Sequence, residues 1–210
     1  MKIYNKKSLS LLELLIGIAL LGIIVLTLTS IDLFSHTHLM TSIRIPILQN
    51  EATYALEHMS KWISQAIGSV SDPTPTINVA NIAGDRAIQF TLDSNGNGLR
   101  DAADTRMAYR WTGLAGATPY QLLYCPSCTL PACANCNPPW NAAEIIARSV
   151  IYFGNPVPPG PVGPIVPVDN FIPVQLQICN DITNPGTCGT VNNPAVTMSI
   201  NIKMPSVSTH

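Results

Sequence analysis

A long apolar run that reaches about Ile31 carries one carboxylate, Glu13, near its start. Twenty or so such residues are long enough to cross a hydrocarbon core as a helix, and a charged side chain inside the span costs about 2.5–3.5 kcal/mol on insertion scales. That cost predicts a partner for Glu13. Lys2, Lys6 and Lys7 precede the run and no acid occurs among residues 1–8, a bias that holds the N-terminus in the cytoplasm. A secretory signal peptide would have a shorter apolar core followed by a small-residue cleavage site. Here the run continues into an amphipathic stretch, so the helix is expected to be kept.

From residue 32 to about 70 apolar residues recur at spacings of three and four: Ala52, Ala55, Leu56, Met59, Trp62, Ile63, Ala66, Ile67 and Val70. Asn50, Glu51, Glu57, Lys61 and Gln65 fall on the other side, which predicts one face against a domain and one in water. The pattern predicts a single helix from Leu9 to about Gly68, about 90 Å long at 1.5 Å per residue. Pro46 lacks an amide hydrogen and is expected to kink the helix or open it locally. Ser71-Asp72-Pro73-Thr74-Pro75 ends helical structure.

Beyond residue 76 the period changes to two. Ile88, Phe90 and Leu92; Met107, Tyr109 and Trp111; Val174, Leu176 and Ile178; and Val196, Met198, Ile200 and Ile202 each alternate with mostly polar neighbours. One apolar and one polar face predict an antiparallel sheet whose covered side rests on the amphipathic helix. A stretch dense in proline and glycine, residues 154–168, reads as a loop or extended segment with no core of its own. The expected fold class is therefore α+β, a long N-terminal helix followed by a β-rich domain over residues 71–210.

The basic, small-residue junction before the run and the placement of Glu13 resemble the leader of the type IV prepilin family, which includes the pseudopilins of type II secretion. Residues 1–8 then correspond to the leader and 9–31 to the filament-core helix. By that resemblance a prepilin peptidase cuts between Ser8 and Leu9 and methylates the new amino group of Leu9, and Glu13 stands at mature position five. Ser8 replaces the family's usual Gly, and Leu9 its usual Phe or Met. The segment from Leu48 to Ile63 further resembles the helix of the W-type minor pilins and J-type minor pseudopilins. The resemblance implies a structural subunit that sits in the inner membrane before assembly and then enters a periplasmic or extracellular filament. Its partners are other pilin subunits, and Glu13 meets the methylated amine of a neighbour. An uncleaved signal anchor is the bland alternative.

The charge balance agrees with such a role. Without the leader, eight basic residues face twelve acids, a formal net charge of −4 in a chain only 11% charged. That gives no general drive toward nucleic acid, and Arg86, Arg100, Arg106, Arg110, Arg148 and Lys203 form no cluster beyond Arg100–Arg110. No nucleic-acid partner is expected.

The sharpest motif of the domain is Asp93-Ser94-Asn95-Gly96-Asn97-Gly98-Leu99-Arg100-Asp101-Ala102-Ala103-Asp104. Asp93, Asn95, Asn97, Asp101 and Asp104 occupy positions one, three, five, nine and twelve of a twelve-residue calcium loop, with Gly98 at six and the Leu99 carbonyl at seven. Five oxygen-bearing positions exceed what a turn needs, which predicts a bound calcium that ties the loop down. The competing reading is a hairpin tip with Asn-Gly turns and solvated acids.

Six cysteines complete the candidate chemistry. Cys125, Cys128, Cys133 and Cys136 form two CxxC units that match a four-thiolate zinc site, while an exported topology favours three disulfides among the six. Cys179 with Cys188 closes a short loop and is the preferred single bridge; the other pairings stay open. No CxxCH occurs, so covalent haem is not expected. His36 and His38 point to nearly opposite helix sides, His58 is read as lying on the polar side, and His210 is near the end of the chain. No nucleophile triad or phosphate loop occurs, and an enzyme is not predicted. The rival classes are a major pilin and a membrane-anchored calcium-binding adhesion domain that never polymerises.

Overall fold

The computed structural model describes residues 11–67, 86–97, 102–113, 120–129, 133, 135–154 and 171–203. Ser8, Leu9, Leu99, Asp101 and the proline-rich segment lie outside them. Helix α1 runs Leu11–Ile63 with Pro46 inside it. The chain divides into two compact units, Met1–Ile43 and Arg44–His210.

In the first unit the helix is mostly apolar from Leu11 to Ile31 and turns polar at Asp32. Leu11–Ser35, 25 residues, is long and apolar enough to cross a membrane, and its large side chains are exposed. Thr27, Thr29 and Ser30 interrupt the apolar surface only superficially. Their hydroxyls donate back to the carbonyls of Ile24, Val25 and Leu26 at 2.8–3.1 Å, which satisfies them without water.

The second unit is α+β, and the helical stripe explains how its core forms. Ala52, Ala55, Leu56, Met59 and Ile63 are all buried, while Glu57 and Lys61 are exposed. The alanines let strands approach the helix closely. Met59, Ile63 and Leu56 fill the gaps, each contributing about 1.5–3 kcal/mol by burial. After two turn residues Ala66 bridges Leu92, and the Ile67 amide donates to the Thr91 carbonyl at 2.9 Å. The chain thus leaves the helix by pairing with a strand end.

The strands do not make one sheet, as the alternation alone suggested. β1 (Arg86–Leu92), β2 (Thr105–Trp111), β3 (Leu122–Cys125) and β6 (Glu144–Ala147) form an antiparallel sheet in the order β1-β2-β3-β6. β7 (Val150–Gly154), β8 (Phe171–Cys179) and β9 (Ala195–Lys203) form a second, antiparallel in that order. β4 (Cys128–Thr129) and β5 (Asn135–Cys136) make a small ladder of their own. Ile88, Phe90, Tyr109, Trp111, Ile172, Val174, Leu176 and Ile178 share one core with the helix. The reverse face of the first sheet is not simply polar, because Ala87 and Ala108 pack under the cysteine ladder and Trp140.

The two main sheets meet at the turn between β6 and β7, where Ser149 takes φ 56°. Val150 donates its amide to Tyr120 at 3.0 Å, and Ser149 accepts the Cys179 amide at 3.0 Å. The Trp111 indole donates to the Val150 carbonyl at 2.7 Å, so a side chain of the first sheet satisfies backbone of the second.

Candidate functional site

Glu13 lies in the first turn of α1 and is exposed. A carboxylate at a helix N-terminus is locally favoured by the orphan amides there. That does not offset its transfer into hydrocarbon. The flanking Leu11, Leu12, Leu14 and Leu15 are between 58% and 80% exposed, so the acid sits on an uncovered apolar surface.

The Asp93–Asp104 segment is the connection of a hairpin, since Leu92 pairs with Thr105. Asp93 Oδ1 accepts the amides of Gly96 at 2.6 Å and Asn97 at 3.2 Å. Asn95 Oδ1 accepts the Asn97 amide at 3.0 Å. On the returning side Asp104 Oδ1 accepts the Ser94 amide at 3.2 Å, and the Ser94 hydroxyl bonds Thr105 Oγ1 at 2.7 Å. Four of the six expected ligand positions, Asp93, Asn95, Asn97 and Asp104, are therefore held on one short connection by backbone-directed bonds. Among the described residues no group of three His, Cys, Asp or Glu side chains converges as a metal site. The residues present are oxygen donors that suit a hard cation; Gly96, at loop position four, takes φ +72°, and Gly98 at position six lies outside the described residues.

All six cysteines are paired: Cys125–Cys136, Cys128–Cys133 and Cys179–Cys188. The Cys179–Cys188 bridge agrees with the expected short loop. The first two are nested around the β4–β5 ladder, where Cys128 stands opposite Cys136 but bonds Cys133. With their sulfurs joined, these cysteines are not free to serve as zinc thiolates. The Cys179–Cys188 loop is organised by a buried side chain, Asn193. Its amide donates to the Asp181 carbonyl at 2.8 Å and to Thr187 Oγ1 at 3.0 Å, while its Oδ1 accepts the Asp181 amide at 2.7 Å. Arg44, on the helix, donates to the Asn192 carbonyl at 3.2 Å and so ties this loop to the base of the domain.

His58 is not a surface histidine. It is half-buried against the rings of Tyr124 at 4.7 Å and Tyr109 at 5.9 Å, with Tyr54 and Trp62 one helical turn to either side. Tyr109 Oη lies 2.8 Å from His58 Nδ1 and 3.2 Å from the His58 carbonyl, so the phenol bonds both the ring and the backbone side of His58. Burial holds the imidazole below its ordinary 6.5; nearby Glu144 opposes that shift and Lys61 adds to it. Burial likewise raises the Tyr109 phenol far above its ordinary value and pushes Tyr124 up to about 12. Each group therefore stays neutral, as a packed aromatic cluster requires. The signal that would have found His58 is the row Tyr54, His58, Trp62 at i, i+4, i+8, which places three rings on one helix face.

No known family, characterised protein or solved structure matches this chain.

Proposed function

We propose that this chain is a structural subunit of a filament, a minor type IV pilin or a pseudopilin of type II secretion, and that it assembles through its N-terminal helix. The observation that carries the reading is the Leu11–Ser35 span, long and apolar enough to cross a membrane, with Glu13 in its first turn. Before assembly that surface is solvated by lipid. In a filament the same surface packs on neighbouring helices, and Glu13 meets the amino group of an adjacent subunit, a desolvated pair that rewards one axial register and penalises others. The leader is cut after Ser8 by a prepilin peptidase and Leu9 carries the methylated amine. The disulfides support export, because such bonds persist in oxidising compartments.

N-terminal sequencing of membrane and sheared-filament fractions tests the reading. Processed chains are expected to begin at Leu9 and to occur in the filament fraction. Retention of Met1–Ser8 in every fraction would support the non-polymerising anchor instead.

The Asp93–Asp104 connection is proposed as a calcium site that braces the β1–β2 hairpin, with Asp93, Asn95, Asn97, the Leu99 carbonyl, Asp101 and Asp104 as ligands. Binding to the folded state alone stabilises by about 2.7 kcal/mol at a hundredfold excess over Kd. Chelation is therefore expected to lower the melting temperature by several degrees. An unchanged melting temperature, with no heat on calcium titration, removes this site.

A further inference from the structure

We propose that Asn95 is a site of self-catalysed deamidation, in which the Gly96 backbone nitrogen attacks the Asn95 side-chain carbonyl while the Asp93 carboxylate holds the attacking N–H. The three groups that this reaction needs are already assembled on the exposed hairpin connection. The nucleophile is the Gly96 nitrogen, whose N–H is donated to Asp93 Oδ1 at 2.6 Å, a charge-assisted bond that draws its proton away. The electrophile is Cγ of Asn95. Its Oδ1 accepts the Asn97 amide at 3.0 Å, a bond two residues ahead that spans the Gly96 peptide and polarises the carbonyl. Approach is open as well. Gly96 has no side chain, and even a Cβ built there would meet nothing within 4 Å, so water reaches the product ring. Holding nucleophile and electrophile in adjacent positions removes the entropy cost of bringing them together.

The chemistry balances without oxidant or reductant. The Gly96 N–Cγ bond forms and the Cγ–Nδ2 bond breaks; the Gly96 proton passes along the hydrogen bond to the carboxylate and leaves with ammonia. Water then opens the succinimide at one of its two carbonyls, giving aspartate or isoaspartate and one added negative charge. An aspartate turns an amide ligand at loop position three into a carboxylate, a consequence that rests on the calcium reading. The reaction itself does not.

Asn97 supplies an internal control, because it too precedes a glycine, Gly98. By sequence the two asparagines are equivalent. At Asn95 the Asp93 carboxylate is held on the following N–H, while Gly98 lies outside the described residues. The full chain in detergent, with chelator present, is incubated in mildly alkaline buffer and mapped by mass spectrometry with fragmentation that distinguishes aspartate from isoaspartate. Asn95 is expected to convert faster in the folded chain than in urea. Asp93→Asn keeps an oxygen for the Gly96 amide but removes the charge. It is expected to slow Asn95 roughly tenfold, below the hundredfold typical of a positioned base in an enclosed site, with Asn97 unchanged. An Asn95 rate no faster in the folded chain than in urea, or one indifferent to Asp93→Asn, overturns the proposal.

Discussion

Glu13→Val is expected to leave membrane insertion and leader cleavage intact while removing the chain from sheared filaments. The two halves of that result follow from opposite effects of one carboxylate. In the bilayer the acid costs about 2.5–3.5 kcal/mol, so valine makes the span easier to insert. The proposed cleavage junction, Ser8–Leu9, is unchanged. On the proposed assembly the filament requires the carboxylate, because removing it strands the partner amine in an apolar lattice. Breaking a buried pair from one side costs about 3–5 kcal/mol, which corresponds to a hundredfold or greater loss of incorporation. Immunoblots of whole membranes against sheared filaments read both halves at once. Normal incorporation of the valine variant would mean that Glu13 sets no register, and the assembly reading would lose its central residue.

The parts of this architecture that were legible in the chain are those written with one period over many residues. Leu11–Ser35 is apolar at most positions, and Ala52, Ala55, Leu56, Met59 and Ile63 keep one helical stripe for three turns. β8 alternates cleanly, with Ile172, Val174, Leu176 and Ile178 inward. β3 escaped because all four of its residues are buried, so no alternation marks it. The division into two sheets was equally hidden. It depends on the turn at Ser149 and on the Trp111–Val150 bond, both products of register between distant segments. The same limit applies to the cysteines. The short Cys179–Cys188 loop follows from spacing, whereas the nested pairs require the β4–β5 register. His58 was misplaced because residue type put it on the wet face, while its neighbours Tyr54 and Trp62 and the Tyr109 hydroxyl make that side of the helix aromatic and half-dry. The Asp93–Asp104 flanks were read as strands, and β1 and β2 close on that connection.

Trp111 is where the domain is expected to be most sensitive to a single change. The side chain is 4% exposed, and its indole N–H is the donor to the Val150 carbonyl that joins the two sheets. Trp111→Ala opens a cavity worth about 3–5 kcal/mol and leaves that carbonyl without its indole donor. At roughly 2–4 °C per kcal/mol for a domain of this size, the melting temperature is expected to fall by about 10 °C or more. Trp111→Phe keeps most of the volume and loses the donor, so its cost is expected to be about 1–3 kcal/mol. Gly113 gives an independent handle on the same contact. A Cβ on Gly113 would lie 2.6 Å from Cε2 and Cζ2 of the Trp111 ring and 2.7 Å from Nε1. That is well inside the ~3.5 Å at which carbon atoms rest, so the ring or the Gly113 backbone must shift, and a shift of the ring loosens its bond to Val150. Gly113→Ala is therefore expected to destabilise about as much as Trp111→Phe, although it deletes no atom of the contact. Combining the two should cost less than their sum, because both act through one hydrogen bond. Thermal melts of the four chains, followed by near-ultraviolet circular dichroism of the tryptophans, measure the coupling. Strict additivity would show that the indole–Val150 bond does not hold the two sheets together.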